Sequence, residues 1–403
     1  MTAPLLHVIG AGPWQVPTIR RARSLGLRVL VSDGWDERPG YAIADLCERA
    51  SIVDAEATLA AARRHRVAGV LCDTTDNGVF AAAYAAESLG LPGVGIEAAL
   101  NCTDKSRMAA RAQAAGLPVP HWRRIESFGE LVAAEAALGS PVVVKPVDNQ
   151  SGRGVSVVNA AVQLRAAYDC AIAHSRSRTA LVQRLAAGTE VIVDSIVAAG
   201  RVHRLGLAVK SPYADNPTIS SRITYGASGP PTPPELIDAA NAALIAALGV
   251  RQGLVHAEYM VADGQVVPID VAARGGGVMI YSHVLPAVSG VDAMRAAIDL
   301  ALGRPADLRP AHAPRAANIE FLRAPPGLVA AVGGVDEARA MPGVAAVHLN
   351  IGVGQRMGAL NHKDDRLGFV IAVADDAETA IALSRAAAAR IEVRIAADEG
   401  VSA

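Results

Sequence analysis

The first ninety residues alternate between short apolar stretches of strand length and longer stretches with helical spacing. "LLHVIGAG" (5–12) has the pattern of a buried strand that ends in a glycine turn, and "VPTIRRARSLGL" then has helical spacing. The same alternation follows in "RVLVSDG", "EATLAAARRHRV", "AGVLCDTT" and "GVFAAAYAAESLG". Because strands joined by helical crossovers lie parallel, this pattern predicts a parallel sheet covered by helices.

Length and composition limit the classes of protein to consider. A chain of 403 residues is longer than one hydrophobic core normally organises, so we expect two or three domains. With 38 basic and 39 acidic residues and 3% aromatic residues, it lacks the basic groove and stacking rings of a nucleic-acid binder. No apolar run is long enough to span a membrane, so we expect neither nucleic acid nor membrane as a partner. The four cysteines form no CxxC pair, which fits a reducing, cytoplasmic location.

The turn "GAGPWQ" after the first strand resembles the start of a dinucleotide fingerprint, with Asp33 near the position of the ribose acid. Gln15 stands where that fingerprint has its third glycine, which allows close packing of helix on strand. Three interpretations stay open: a dinucleotide site, a tight turn in an α/β domain, and a small-ligand pocket at the strand end.

The segment "PVVVKPVDNQSGRGVSVV" carries a lysine and a glycine loop between two β-rich stretches. Lys145 ends the first stretch, and the turn of 151–154 follows. Glycines let backbone N–H groups approach phosphate oxygens, and a lysine supplies a point charge. The segment therefore predicts a phosphate site, with an ordinary hairpin and a snorkelling lysine as the alternative.

Two acids lie on a predicted hairpin, "LVHAEYMVADGQVVPIDVAARGGG". A two-residue Asp-Gly turn would place Glu258 and Asp270 on opposite faces, whereas a bulged loop with Gly264 left-handed would place them on one face. We expect the bulged loop, with His256 and Arg274 on the same face as the acids. Two carboxylates on one face repel unless a cation lies between them, which indicates Mg²⁺ with bound phosphates. The alternative is a solvent-facing strand pair with scattered charges.

Weaker candidates for substrate contacts lie near this hairpin. The amide groups of Gly275, Gly276 and Gly277 are placed to bind a carboxylate or an oxyanion, or the three glycines form a flexible turn. His283 follows them, and Arg222 lies in a polar loop where it could pair with a substrate carboxylate. A lone histidine is more often a structural hydrogen-bonding residue, and this is the alternative for both His283 and His256.

Taken together, these segments resemble the ATP-grasp superfamily over roughly residues 1 to 305, with all landmarks in the family's order. "TDKSRM" and "VVVKP" are similar to its two lysine motifs, "SGRG" to its glycine loop, and "LVQRL" with "GTEV" to its hinge and ribose segments. "VHAEYM" and "PIDVAAR" resemble the two metal-ligand strands. The resemblance implies nucleotide contacts from the residues Lys105, Lys145, Ser151, Gly152, Gly154, Gln183, Arg184, Leu185 and Glu190. It implies metal ligation by Glu258 and Asp270, and contact of Arg274 with the transferred phosphoryl group.

Two departures from the family pattern bear on the site. Many members have Asn two residues beyond the second acid, whereas Ala272 stands here. This puts a second protein-ligated Mg²⁺ in doubt, although water can complete a coordination shell. Gln183 replaces a common hinge acid, with little expected effect, because adenine contacts there come mainly from the backbone.

The resemblance implies an α/β fold in three parts. These are a Rossmann-like pre-ATP-grasp domain (1–103), an ATP-grasp domain (104–305) and a C-terminal α+β domain (306–403). The ATP-grasp domain would contain a mobile α+β lid at about 120–186 and a central antiparallel sheet. The C-terminal segments "AANIEFLRAPPG" and "DDRLGFVIAVADDAETA" resemble the closing domain of L-amino acid ligases and related carboxylate–amine ligases.

The function implied is an ATP-dependent C–N ligase that forms an amide through an acyl phosphate and releases ADP and phosphate. Small-molecule carboxylate and amine substrates are expected, one of them an amino acid, with Arg274, Lys145 and Gly276 as catalytic groups. ATP and Mg²⁺ are the expected cofactors, with Mn²⁺ as an alternative ion, and family habit implies a homodimer. Competing interpretations are a carboxylase or carbamoyl-phosphate-forming enzyme, a regulator that binds nucleotide without catalysis, and a dinucleotide oxidoreductase.

Overall fold

The computed structural model describes residues 3–226 and 232–396. The N-terminal part of the protein is a parallel sheet covered by helices. Its four strands lie in the order β3-β2-β1-β4, and every pairing is parallel, as the alternation predicted. The short strand β3 and the helix α4 were not predicted. The elements are β1 (Leu5–Ile9), α1 (Val16–Ser24), β2 (Arg28–Asp33), β3 (Leu46–Arg49), α2 (Ala55–His65), β4 (Gly69–Leu71), α3 (Val79–Ser88) and α4 (Ile96–Thr103).

An antiparallel sheet with two helices on one side follows. Its strands lie in the order β5-β8-β6-β7, and the apolar side chains of Leu131, Val142 and Ala167 share one buried core. The elements of this stretch are α5 (Lys105–Ala114), β5 (Trp122–Ile125), α6 (Phe128–Leu138), β6 (Val142–Pro146), β7 (Ser156–Val158), α7 (Leu164–Ala173), β8 (Ala180–Arg184) and β9 (Thr189–Ala198).

The next stretch places β12 between β9 and β13, antiparallel to both. Helix α10 returns to the N-terminal sheet, where Ile298 and Ala301 join the core formed by Val8 and Val29. The elements are β10 (Arg201–Tyr213), β11 (Asn216–Tyr225), α8 (Pro234–Leu248), β12 (Gly253–Ala262), β13 (Gln265–Ala272), α9 (Leu285–Ser289) and α10 (Ala293–Ala301).

The C-terminal part is α+β. Strands β11, β14, β18 and β16 pair antiparallel in that order, and β15 pairs with both β17 and β19. The elements are β14 (Ala316–Leu322), β15 (Gly327–Gly333), α11 (Val335–Arg339), β16 (Val344–Leu349), β17 (Arg356–Met357), β18 (Gly368–Ala374), α12 (Ala377–Ala388) and β19 (Glu392–Ile395).

The described residues group into two compact units. The first comprises residues within 1–150, 154–207 and 229–313, and the second comprises residues within 151–153, 208–228 and 314–403. This grouping is coarser than the predicted three-part division, whose boundaries remain a prediction. Among the described helices, none combines the length and the apolar character that crossing a membrane requires.

Candidate active site

The hairpin of β12 and β13 closes with a two-residue turn. Asp263 and Gly264 have φ values of 50° and 76°, and Ala262 pairs with Gln265 across the turn. Positive φ at both positions suits the tight turn whose twist matches the flanking strands. The expected bulged loop was therefore wrong at this position, although Gly264 is left-handed as predicted.

The irregularity lies inside β13 instead. Tyr259 pairs with Pro268, and the next pair is Glu258 with Asp270, so Ile269 is the extra residue of a bulge. Proline cannot donate to the strand ladder and is tolerated at bulges, which explains the location. Directly opposed residues share a face of the sheet, so Glu258 and Asp270 lie on one face by a route different from the one predicted.

Lys145 reaches this bulge from β6. The side chain is 6% exposed, and its Nζ donates to the carbonyl of Ile269 at 2.9 Å. Burial lowers the pKa of Lys145 to about 8, against the opposing effect of the Asp270 carboxylate, and the positive charge of Lys105 adds to the lowering. An ammonium has three N–H groups, so this one bond leaves two that can turn toward an anion.

Lys105 begins α5, where the side chain of Asp104 caps the helix. Its Nζ lies 3.1 Å from Oδ1 of Asp270 and donates to the carbonyl of Asn149 at 2.8 Å. Burial lowers the pKa of Lys105, but the carboxylates of Asp270 and Asp76 outweigh this effect and raise it above its ordinary value. The structure thus brings both predicted lysines to the side of β13 that carries Asp270.

Arg274 is held by a carboxylate that follows β4 of the N-terminal parallel sheet. Its Nε donates to Oδ1 of Asp76 at 2.7 Å, and its Nη2 donates to Oδ2 at 3.2 Å. Its Nη1 donates to the carbonyl of Gly275 at 2.9 Å, and the side-chain oxygen of Gln150 accepts from the N–H of Asp76 at 3.0 Å. Burial lowers the pKa of Arg274, but Asp76 raises it by more. The paired guanidinium therefore has a fixed plane and keeps its charge.

His256 lies between two acids. Its Nδ1 is 2.7 Å from Oδ1 of Asp194, and its Nε2 is 3.7 Å from Oε1 of Glu258. Burial alone would lower the pKa of His256, but Asp194 and Glu258 outweigh it and raise the pKa to about 9. Both ring nitrogens thus face acids of the protein, which does not favour the predicted role as a substrate contact.

Packing explains two of the three glycines that follow Arg274. A Cβ on Gly275 would lie 2.7 Å from the side chain of Tyr281, and one on Gly276 would lie 2.7 Å from the side chain of Ile280. Apart from the glycine itself and its two chain neighbours, no heavy atom of the described residues would lie within 4 Å of a Cβ on Gly277. Gly275 and Gly276 are therefore required for close approach, whereas Gly277 is not.

The amides of this run differ in availability. The N–H of Gly275 donates to the carbonyl of Asp73 at 2.7 Å, so it is already engaged within the protein. Val278 and Met279 follow with positive φ values of 46° and 60°, and a π-helical turn covers Ile280–Val284. Such strained backbone is common at functional sites. His283 lies in this turn with its Nδ1 2.8 Å from Oγ of Ser282, and burial lowers its pKa.

The predicted hinge residues end β8. Gln183 is buried, the N–H of Arg184 donates to the carbonyl of His121 at 2.9 Å, and the N–H of Leu185 donates to the carbonyl of Pro141 at 3.1 Å. A contact with an adenine edge would have to use other atoms of this segment.

The glycine loop and Glu190 are the remaining predicted nucleotide contacts. Ser151, Gly152 and Gly154 have φ values of 62°, 73° and 75°, so the loop turns through the left-handed region. Ser151 and Gly152 group with the second unit, and Gly154 groups with the first. Glu190 lies on β9 opposite Met260 of β12.

Arg222 lies on the strand β11 in the second unit, so the expectation of a polar loop was wrong at this residue. It is paired with Glu320 of β14, and its charge opposes the rise in the pKa of Glu320 that burial causes. A substrate carboxylate at Arg222 would therefore meet Glu320 as a competing partner.

The N-terminal glycine turn satisfies groups of its own chain. Oδ2 of Asp33 accepts from the N–H of Ala11 at 3.0 Å, and a Cβ on Gly10 would lie 3.2 Å from the side chain of Gln15. The amide nitrogen of Gln15 also donates to Oγ1 of Thr74 at 2.6 Å. The two positions that could mark a dinucleotide site are engaged locally, which favours the tight-turn interpretation.

Sequence reasoning missed Asp76 and Asp194. Asp76 follows β4 in "LCDTTDNG", a polar segment at the carboxyl end of a parallel strand, where α/β sheets commonly bind ligands. That signal was available in the sequence. Asp194 lies within an apolar strand, "VIVDSIV", and only the register with β12 shows its partner.

The acids of the hairpin suit a magnesium ion that arrives with a nucleotide. Within residues 3–226 and 232–396, no group of three or more His, Cys, Asp or Glu side chains is placed to hold a metal. Mg²⁺ is commonly bound through one or two carboxylates, with substrate phosphates and water as the other ligands. Glu258 and Asp270 fit that pattern as the two carboxylates.

Two family models match the chain. The ATP-grasp domain matches residues 138–282, which include Lys145, Glu258, Asp270 and Arg274. The L-amino acid ligase C-terminal domain 2 matches residues 320–396.

Curated relatives match part of the chain. A formate-dependent phosphoribosylglycinamide formyltransferase from Synechococcus sp. (strain CC9605) is 33% identical over 193 residues, which cover 47% of this chain and 46% of the relative. The chain thus spans about half the length of such relatives.

Solved structures match nearly all of the chain. An L-amino acid ligase from Bacillus licheniformis has a TM-score of 0.82 at 22% identity and covers 98% of this chain and 100% of that one. The biotin carboxylase domain of 2-oxoglutarate carboxylase from Hydrogenobacter thermophilus, a dimer in complex with MgADP, ADP and bicarbonate, has a TM-score of 0.74 at 16% identity. It covers 97% of this chain and 91% of that one. At these identities the likeness establishes the fold alone, which is the ATP-grasp fold.

Proposed function

We propose that this chain, which carries an ATP-grasp domain followed by an L-amino acid ligase C-terminal domain, is an ATP-dependent carboxylate–amine ligase. It forms an amide bond through an acyl phosphate and releases ADP and phosphate. One of its substrates is an amino acid. The match of residues 320–396 to the L-amino acid ligase domain supports that choice.

The observation that carries the proposal is the meeting of opposite charges around the hairpin. Glu258 and Asp270 are direct cross-strand partners, Lys105 lies 3.1 Å from Asp270, and Lys145 donates to the carbonyl of Ile269. Mobile surface charges would not explain this grouping, since Lys105 and Lys145 are both largely shielded from solvent. Acids beside buried cations suit a ligand that carries both phosphates and a divalent ion.

A carboxylate does not condense with an amine in water near neutral pH because hydroxide is a poor leaving group. Transfer of the terminal phosphoryl group of ATP to the carboxylate makes phosphate the leaving group, and the protein positions the reactants and neutralises charge. Lys105 and Lys145 donate to phosphate oxygens. The two N–H groups of Arg274 that do not bond Asp76 or Gly275 reach the phosphoryl group in transfer.

Glu258 and Asp270 would hold Mg²⁺, which supplies charge neutralisation between the phosphates when it is bound. The amide of Gly276 is the proposed donor to the substrate carboxylate or the oxyanion, since that of Gly275 is engaged by Asp73. Among the hinge atoms, those other than the amides of Arg184 and Leu185 would bind adenine. We further propose a cytoplasmic homodimer, which light scattering after size exclusion would test.

The experiment is phosphate release from ATP and Mg²⁺ with pooled amino acids, alone and with small carboxylic acids that include formate, followed by mass spectrometry of products. We expect release that depends on both a carboxylate and an amine, and a product that has gained the mass of an amide condensation. Formate enters the pool because a relative carries it in its name. Carboxylation of an added bicarbonate, or no release with any pool, would contradict the proposal.

Asp270→Asn is the matched control, since it keeps the size of the side chain and removes its charge. We expect it to bind nucleotide and to lose turnover by about 100-fold or more. Near-normal turnover would remove Asp270 from the mechanism.

A further inference from the structure

The pair formed by Asp194 and His256 lies directly beside the proposed metal ligand Glu258. Register places Asp194 of β9 opposite His256 of β12, and Glu258 follows two positions later on the same face of β12. The distances are 2.7 Å from Nδ1 of His256 to Asp194 and 3.7 Å from Nε2 to Glu258. A row of acid, imidazole and acid therefore crosses two neighbouring strands.

Burial makes this row costly unless its members are paired. Asp194 is 1% exposed, and the side chain of His256 is 11% exposed. A buried carboxylate is tolerated only with a partner, and His256 supplies that partner through its short contact. Removing either member would take this short buried contact away from the other.

The ring has little freedom to serve a substrate. A Cβ on Gly276 would lie 3.1 Å from Nδ1 of His256, so the backbone of the glycine run lies close to the ring. Its Nδ1 is engaged by Asp194, and its Nε2 points to Glu258. The imidazole is thus clamped between backbone and two carboxylates.

We propose that Asp194 and His256 are positioning residues that fix the carboxylate of Glu258 for the divalent ion of the nucleotide. Asp194 sets the orientation of the ring, and the ring faces Oε1 of Glu258, so the pair limits the orientations that this carboxylate takes toward the ion. Partners of this kind, one step removed from a metal, commonly change its affinity by about 10–100-fold when they are mutated. The proposal rests on the proposed function, since it assumes that Glu258 is a metal ligand.

The same two strands offer matched controls on their other face. Ser195 and Tyr259, the neighbours of Asp194 and Glu258, are joined through Asn241, which donates to Oγ of Ser195 at 2.9 Å and accepts from the hydroxyl of Tyr259 at 2.9 Å. Ser195→Ala and Tyr259→Phe therefore each remove a buried hydrogen bond from the same strand pair without touching the row of Asp194, His256 and Glu258.

The test is Mn²⁺ binding in the presence of ADP, measured by electron paramagnetic resonance, on the wild type, His256→Asn, Asp194→Asn and the two controls. His256→Asn places its amide nitrogen near the position of Nδ1, so it keeps a donor to Asp194 while it loses the contact with Glu258. We expect about tenfold weaker Mn²⁺ binding for His256→Asn and Asp194→Asn, and wild-type binding for Ser195→Ala and Tyr259→Phe. ADP affinity without metal should not change in any variant.

Thermal melting separates folding from positioning, because His256→Asn retains the pairing of Asp194. Wild-type Mn²⁺ affinity in His256→Asn would overturn the proposal, and so would an equal loss in the two controls. If the wild-type protein bound neither ADP nor Mn²⁺ with ADP, the proposed function itself would fail, a result distinct from either of these.

Discussion

The two lysines of the site have pKa values displaced in opposite directions. Lys105 and Lys145 are both held among the same acids, but Lys105 lies 3.1 Å from a carboxylate oxygen of Asp270, whereas Lys145 bonds only a neutral carbonyl there. Direct pairing favours the charged form, and burial beside a second cation opposes it. The pKa of Lys145 is thereby lowered to about 8.

The lowered pKa of Lys145 predicts that kcat/KM for ATP has a descending limb in its pH profile. Because the folded pKa of Lys145 is lowered from its ordinary value of 10.5, the lysine loses its proton in the free enzyme as pH rises through about 8. We expect kcat/KM for ATP to fall above that pH, since kcat/KM reports groups of the free enzyme. Lys145→Arg should move this limb to higher pH because arginine stays charged. An unchanged limb in Lys145→Arg would assign it to another group.

The same pKa shift affects stability in the opposite direction: kcat/KM falls as pH rises, whereas the free energy of unfolding increases. Between about pH 8 and 10.5 the unfolded chain holds a proton on Lys145 that the folded protein has lost. Stability attributable to this group therefore rises with pH across that window. Urea unfolding of the wild type and of Lys145→Met at pH 8 and pH 10 measures this contribution. The free energy of unfolding of the wild type minus that of Lys145→Met should rise between the two pH values, and a fall would contradict the assignment to Lys145.

Asp76, which follows β4, holds the guanidinium of Arg274. Its carboxylate accepts two N–H groups of the guanidinium, so Asp76→Asn should free the plane of Arg274 without removing a nucleotide contact. We expect kcat to fall by about 100-fold, because a small misplacement of a catalytic group has an effect of that size. KM for ATP should be nearly unchanged.

A double-variant cycle shows whether Asp76 acts through Arg274. Once Arg274→Ala has removed the guanidinium, Asp76→Asn should cost nothing further. Additive losses in kcat would mean that Asp76 has a separate role, and a raised KM for ATP in the single variant would place it in nucleotide binding.

At this scale the sequence indicated candidate residues but not their pairings. Lys145, Glu258, Asp270 and Arg274 were indicated by local patterns, and Lys105 by the resemblance of "TDKSRM" to an ATP-grasp motif. The contact between Asp76 and Arg274 joins residues 198 positions apart, and no local pattern encodes such a distance. Pairings of this kind depend on how strands register in space.

Among the secondary-structure elements, the bulge in β13 decides that Asp270 lies directly opposite Glu258. Strand side chains alternate, so a single extra residue changes which of them share a face. The sequence contained the alternation of apolar residues and the Asp-Gly turn, from which two registers followed. Pro268 was the signal that an irregularity belonged inside the strand rather than in the turn.

Helix boundaries were better determined by sequence than strand irregularities. In "TDKSRM" both Thr103 and Asp104 are residue types that cap helices, and the side chain of Asp104 accepts from two backbone N–H groups at the start of α5. Thr103 is instead the last residue of α4, which abuts α5. Capping is a local interaction, so residue type alone nearly specifies it.

The glycine run gives a prediction on stability that separates packing from flexibility. A Cβ on Gly275 would lie 2.7 Å from Tyr281, a fully buried side chain, so Gly275→Ala should lower the free energy of unfolding by about 1–3 kcal/mol. The new Cβ of Gly277→Ala would contact no described residue beyond its chain neighbours, so this variant should be nearly neutral. Urea unfolding of both variants measures these free energies. If both substitutions were nearly neutral, the turn would be flexible at both positions.

For the whole molecule, order along the chain predicted the layers, whereas the grouping into units needed long-range contacts. The β11 strand pairs with β14 across roughly a hundred residues of chain, so the segment 208–228 groups with the C-terminal part. A sequence read from one end to the other places that segment within the preceding domain. The parallel N-terminal sheet was predictable because each crossover is local in sequence.

Thermal melting with added nucleotide tests whether the folded protein binds MgADP or NAD⁺. MgADP at about 100 times its Kd should add about 2.7 kcal/mol to the free energy of unfolding and raise the melting temperature. NAD⁺ should leave the melting temperature unchanged, since Asp33 and Gln15 are engaged by the protein's own groups.

Lys145→Met should abolish most of the MgADP effect. Lys210→Met, which removes an equally buried lysine of the second unit, should retain it because Lys210 is not a proposed nucleotide contact. A shift with NAD⁺ in place of MgADP would reverse the assignment, and equal loss in the two lysine variants would show that the response depends on folding rather than on nucleotide contact.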